Sequence, residues 1–140
     1  MRGLFLEDLS IGQSASLVRT VGAADIDAFA AVTGDINPVH LDAAYAATTS
    51  FGERIAHGML SAGYISAVLG TTLPGPGAIY LSQTLRFKRP VKIGDAVTAR
   101  ATVSEIDAAK ARITFATVCL VNDKPVVEGE AVIMVPRRTV

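Results

Sequence analysis

One stretch, GMLSAGYISAVL at residues 58–69, decides the fold of this chain. It is apolar almost all round and rich in small residues. A helix that is hydrophobic on every side is buried rather than laid on a surface, and small residues let a sheet approach it closely. Gly70 and then Pro74 end the helix, because proline cannot continue it. The stretch therefore predicts a long central helix enclosed by the rest of the chain.

Strands follow this helix. Residues 78–88 alternate in polarity, as expected of a strand with one apolar face, and that face carries Ile79, Leu81, Gln83, Leu85 and Phe87. Further strands are predicted at 96–106, 111–121 and 125–135, the last two joined in a hairpin around Asn122-Asp123. Helices followed by a run of antiparallel strands indicate an α+β fold. We expect a curved antiparallel sheet wrapped around the long buried helix.

Shorter elements precede the central helix. Residues 13–20 predict a first strand, and apolar residues near helical spacing predict a helix over residues 24–32. Gly34 is a natural stop for that helix, and Pro38 disfavours its continuation, so a loop is expected from residue 34 to residue 41. Asp42 is a suitable N-terminal cap for a short helix that follows it in the chain. With no repeat or linker visible, residues 1–140 are interpreted as one domain.

Composition excludes several classes of protein. The 140 residues are 50% hydrophobic, and 13 Lys and Arg balance 13 Asp and Glu, so disorder and nucleic-acid binding are not expected. Cys119 is the single cysteine, which rules out an internal disulfide and favours a reducing compartment. No apolar run near the N-terminus suits a signal peptide. Residues 59–69 are about half the roughly 20 residues that span a bilayer. We expect a soluble, cytoplasmic protein without a membrane contact.

The first candidate for chemistry is the hexapeptide DINPVH at residues 35–40. Asp35 and His40, five residues apart in a loop held by Pro38, could direct both side chains at one small volume. An aspartate can accept a hydrogen bond from water, and histidine exchanges protons near neutral pH. The structural alternative is that Asp35 and Asn37 only bond their own backbone in a turn. Spacing alone leaves both readings open.

The second candidate is His57-Gly58, at the start of the central helix. Free N–H groups at a helix N-terminus bind negative charge, and a glycine lets a ligand approach the backbone. The alternative is a glycine selected for tight packing, with His57 structural.

Two polar residues on apolar faces form a third candidate. Ser66 lies within the central helix and Gln83 on the apolar face of its strand, and buried polar groups need partners. For Ser66 the structural alternative is a hydrogen bond to a carbonyl of its own helix, whereas Gln83 favours a polar pocket. The sequence contains no Cys/His cluster at metal spacing and no nucleotide-binding glycine motif, so neither metal nor cofactor is expected.

Three segments resemble the MaoC-like, (R)-specific enoyl-CoA hydratases of the hot-dog fold. They are FAAVTGDINPVH at 29–40, RIAHGML at 54–60 and AIYLSQTLRFKRPVKIGD at 78–95. The similarity extends over nearly the whole chain and is strongest to the short, single-domain type linked to polyhydroxyalkanoate synthesis.

The resemblance implies a function for each candidate. Asp35 and His40 match the catalytic dyad that activates water, and the Gly58 N–H matches the donor to the thioester carbonyl. Asn37 matches a motif residue that shapes the loop, and Ser66 matches a serine beside the dyad. The reaction implied is reversible hydration of a trans-2-enoyl-CoA to an (R)-3-hydroxyacyl-CoA. The family forms homodimers with the site at the interface, and apolar helix residues such as Ile65 and Leu69 are candidates for the acyl pocket.

Two other functions of the same fold stay open, a thioesterase and a 3-hydroxyacyl-ACP dehydratase, as does a non-catalytic module that binds acyl-CoA. Thioesterases of this fold usually carry an acid on or beside the central helix, and residues 58–69 contain none. A binding module would not need Asp35 and His40 together.

Overall fold

The structure is a computed structural model, and it describes residues 2–138. The helices α1 to α4 span Ala23–Thr33, Pro38–Leu41, Ala43–Ala47 and Gly58–Thr71. The strands β1 to β6 span Ser14–Thr20, Ile79–Gln83, Arg86–Phe87, Ala96–Asp107, Arg112–Val121 and Lys124–Met134. They form one antiparallel sheet in the order β1-β4-β5-β6-β2, with β3 also paired to β6. The fold is therefore the α+β hot-dog arrangement predicted from the sequence.

Helix α4 packs on the concave side of the sheet, against β1, β4, β5 and β6. Its buried residues are spaced as one face of a helix and are Ser61, Ile65, Val68 and Leu69. The opposite face, which includes Met59, Gly63 and Ser66, is exposed. The sequence predicted burial all round, but the sheet of one chain covers only one side of the helix. The small residues therefore lie on an open face rather than against the strands.

The hairpin between β5 and β6 forms as predicted. Val121 pairs with Lys124, which leaves Asn122 and Asp123 as a two-residue turn. Both have positive φ, 51° and 63°, the conformation that matches the twist of the flanking strands and that Asn and Asp tolerate. The strand β5 buries Cys119, and burial raises the pKa of its thiol to about 12. The thiol is therefore protonated at neutral pH, which agrees with the expected core role.

The predicted strand over 78–88 is interrupted. It divides into β2 and β3 because the side chain of Thr84 accepts a hydrogen bond from the Glu130 N–H at 2.9 Å, where a continuous strand would offer a carbonyl. Gly129 makes the break possible, since a Cβ there would collide with the Thr84 carbonyl. The predicted apolar face is also largely exposed rather than buried: Leu81 is 41% and Phe87 is 55% exposed.

The predicted loop at 34–41 is half helical. Residues 38–41 form α2, and α3 follows with the Asp42 side chain accepting from the Tyr45 N–H at 3.1 Å, as the capping pattern predicts. Every helix in residues 2–138 falls short of the length and apolarity needed to cross a membrane.

Candidate active site

Residues 34–41, called here the dyad loop, are shaped by their own side chains. Helix α1 ends at Gly34, whose φ of 80° is the left-handed conformation favoured at a helix end. The Asp35 carboxylate accepts from the Asn37 N–H at 3.4 Å, and the Asn37 side chain accepts from the Val39 N–H at 3.2 Å, which caps α2. The turn chemistry considered as the structural alternative is therefore present. It positions Asp35 and leaves its carboxylate exposed.

His40 is oriented by the segment that precedes α4. Its Nδ1 lies 2.7 Å from the Ile55 carbonyl oxygen, and a carbonyl can only accept, so Nδ1 carries a hydrogen. In the neutral ring the lone pair is then on Nε2, which is the form needed in a general base. The Arg54 side chain donates to the His40 carbonyl at 2.5 Å and pairs with Asp27 at 2.8 Å. His40 is thus fixed at both its ring and its backbone.

Asp35, His40 and His57 converge. One carboxylate oxygen and one nitrogen from each ring lie within 4.8 Å of one another, but Asp35 and His40 share no direct hydrogen bond in the described residues. Two ordinary hydrogen bonds to a single water span about 4.5 Å. The carboxylate and the imidazole are therefore close enough for one water molecule to contact both groups.

The same three residues fit a metal ion poorly. The rings of His40 and His57 are stacked, with centroids 3.8 Å apart and planes inclined by 27°. Imidazole binds a metal in the plane of its ring at about 2.0–2.1 Å, and stacked rings have no common point at that distance in both planes. In addition, Nδ1 of His40 is hydrogen-bonded to the Ile55 carbonyl, and Nε2 of His57 is hydrogen-bonded to the Asp35 carbonyl. The convergence is suited to water rather than to an ion.

Gly58 is the first residue of α4. In the described part of the chain its N–H has no protein acceptor, so it is available to a developing negative charge, as predicted. The space beside its Cα is not open, however. A Cβ at this position would lie 2.5 Å from two ring carbons of Phe87. The absence of a side chain at Gly58 thus lets the Phe87 ring pack against the helix start, so the packing alternative and the free N–H are both compatible with the structure.

A cavity of about 480 Å³ is lined by His40 and Gly58, whereas Asp35 and His57 lie outside its lining. His40, Gly58 and Ser61 supply polar atoms, and its remaining walls are mostly apolar, including Phe51, Met59 and Phe87. Lys88 and Arg89 also line it. Ser66 was selected from the sequence and Ser61 was missed, because the pattern of an apolar helix does not tell which of its two serines lies on the buried face. Ile65 and Leu69, expected to line the acyl pocket, are instead fully buried in the core and line neither this cavity nor the second one.

Ser66 and Gln83 line a second cavity of about 450 Å³, between the open face of α4 and β2. Within one chain neither Ser66 nor Gln83 lines the cavity that contains His40, although Met59 lines both cavities. The Gln83 amide donates to the Thr84 carbonyl at 2.8 Å and to the Thr117 hydroxyl at 2.9 Å. Its oxygen accepts from the Tyr80 hydroxyl, and burial raises the pKa of Tyr80. These bonds favour a structural role for Gln83, and its contact with substrate stays a prediction, as does that of Ser66.

A hot-dog fold with an acid beside a histidine, and with that histidine and a free helix N–H lining an apolar cavity, is typical of proteins that act on thioesters. The MaoC like domain model matches residues 9–124, and the chain belongs to this family. It is 58% identical to an (R)-specific enoyl-CoA hydratase of Rhodospirillum rubrum, covering 96% of this chain and 93% of that protein.

Solved structures of (R)-hydratases also match this chain in fold and in sequence. The R-hydratase PhaJ1 from Pseudomonas aeruginosa superposes with a TM-score of 0.92 and 52% identity, over 97% of this chain and 88% of that one. An (R)-hydratase of Aeromonas caviae involved in polyhydroxyalkanoate biosynthesis gives a TM-score of 0.91 and 46% identity, over 93% and 99%. The expected fold and the expected family resemblance are both confirmed.

Proposed function

We propose that this protein is an (R)-specific enoyl-CoA hydratase, acting on trans-2-enoyl-CoA as one domain over residues 1–140. The observation that carries the proposal is the convergence of Asp35 and His40 within reach of one water molecule, with His40 and the free Gly58 N–H lining one mostly apolar cavity. The close hydratase relatives support it. Neither a metal nor a cofactor is required.

The proposed reaction uses the Asp35–His40 dyad together with the Gly58 N–H. The thioester oxygen accepts a hydrogen bond from the Gly58 N–H, which stabilises the enolate formed when water attacks C3. Asp35 holds the water, and the free Nε2 of His40 takes its proton as the new C–O bond forms. The same proton is then returned to C2 on the same face, which gives the (R)-3-hydroxyacyl thioester. Asn37 maintains the dyad loop, and the mostly apolar cavity walls accept the acyl chain.

A homodimer is part of the proposal. Strand β2 ends the sheet order and so has an unpaired edge, and Ile79, Tyr80 and Leu81 on it are 54%, 40% and 41% exposed. An apolar edge strand is a template for pairing with a second chain. Pairing there would also cover the open face of α4 and the second cavity, where Ser66 and Gln83 lie. A cytoplasmic location is proposed from the single cysteine.

Incubation with crotonyl-CoA tests the function. We expect loss of the enoyl absorbance, no release of thiol, and an R product on chiral chromatography. Release of thiol would instead identify a thioesterase, and binding without either change would identify a non-catalytic module. Crotonyl-ACP, assayed in parallel at equal concentration, distinguishes the carrier: a higher kcat/KM with the carrier protein would overturn the choice of CoA.

A further inference from the structure

His57 is the one titratable residue of the cluster that the proposed reaction does not use. Its side chain is buried, with 3% of the residue exposed. Nε2 lies 2.9 Å from the Asp35 carbonyl oxygen, and because a carbonyl only accepts, the hydrogen of the neutral ring is on Nε2. Nδ1 is buried without a hydrogen-bond partner in the described residues.

The ring of His57 also supports His40. One side stacks on the His40 imidazole, with centroids 3.8 Å apart, and Phe29 packs at 4.6 Å from its centroid. His40 is bonded at Nδ1 to the Ile55 carbonyl, which leaves rotation of the ring as its remaining freedom. The stacked face of His57 opposes that rotation. Both members of the dyad are therefore held by the same buried residue.

We propose that His57 is a positioning residue for the dyad: its Nε2–H fixes the backbone of Asp35, and its ring fixes the plane of His40. The kinetic part of this inference rests on the proposed function. The separation between carboxylate and imidazole must fit one water, and a misplacement of about 1 Å can cost on the order of 100-fold in rate. The unpartnered Nδ1 has no part in this and could be replaced by carbon.

Two variants separate the hydrogen bond from the ring. His57→Phe keeps a flat ring and removes the donor, whereas His57→Gln keeps an N–H at the same number of bonds from Cα and removes the ring. We expect H57F to lower kcat at least tenfold with KM changed less than threefold and the thermal unfolding midpoint nearly unchanged. A kcat within twofold of the parent, or a loss explained by a smaller folded fraction, would overturn the proposal. H57Q should recover part of the lost kcat, and no recovery would overturn the role of the hydrogen bond.

A second measurement does not depend on turnover. The chain has two histidines, so in both H57F and H57Q the untagged protein contains His40 alone. Its imidazole ¹⁵N shifts report which nitrogen carries the hydrogen. We expect distinct shifts with the hydrogen on Nδ1 in the parent and in H57F, which keeps a stacked ring. In H57Q, where the stacked ring is gone and the Nδ1 bond to the Ile55 carbonyl can loosen, we expect the two shifts to move towards the tautomeric average. Unchanged shifts in H57Q would overturn the role of the ring. If the parent fails to hydrate crotonyl-CoA while the shifts change, the proposed function is wrong and the positioning role stands.

Discussion

The dyad loop at residues 34–41 and the edge segment at residues 79–87 are both exposed, but they are held in different ways. The loop is polar and closed by bonds within itself and to the start of α4, such as those from Asn37 and His57. The edge segment is apolar, broken at Thr84 and paired to β6 on one side only. Exposure therefore has two meanings in this molecule. In the proposed function the loop is open to admit a substrate, and in the proposed homodimer a second chain covers the segment.

Asp35→Asn tests the dyad loop and should have the largest effect on turnover of the substitutions proposed here. It keeps the shape of the side chain and its turn bond but removes the charge that holds water, so turnover should fall at least about 100-fold. The thermal unfolding midpoint should be unchanged. Asp42→Asn is the matched control, since asparagine also caps α3, and it should remain active. Near-normal turnover of D35N would refute the dyad.

Leu81→Arg tests the edge segment. In a symmetric pair the two new charges would lie close together, and a charge blunts an edge strand, so self-association should weaken at least about tenfold. Analytical ultracentrifugation measures the dissociation constant. Val18→Arg is the control, because Val18 is 62% exposed on β1, the opposite edge of the sheet. Dissociation by V18R but not by L81R would move the interface to β1.

Gly58→Ala tests the contact between the start of α4 and Phe87 of the edge segment. The added Cβ would overlap the ring of Phe87, but that ring is more than half exposed and can shift, so the free energy of unfolding should fall by only about 1 kcal/mol. Urea unfolding of G58A, F87A and the double variant measures their coupling. A favourable coupling in the double variant is expected from relief of the overlap. Strictly additive effects would show that the two residues do not conflict.

Local features were predictable from the sequence. The turn at Asn122-Asp123 and the stop at Gly34 depend on residues adjacent to them, and so does the D-x-N-P-x-H loop. The break at Thr84 was not predictable, because it depends on Gly129, which pairs with it from a distant strand. The exposure of Leu81 was missed for another reason. An alternating pattern marks an apolar face but does not say whether the same chain or a second one buries it.

His57 and Gly58 are joined by one peptide bond. In the proposed reaction, the residue that steadies the proton acceptor and the N–H that receives the thioester oxygen are therefore neighbours in the chain. A shift of the α4 N-terminus would displace both together, so their alignment depends on this one segment. Redesign of this enzyme for other acyl chains should accordingly leave this dipeptide untouched and vary the cavity wall at Met59 and Phe51, where changes in width leave that alignment intact.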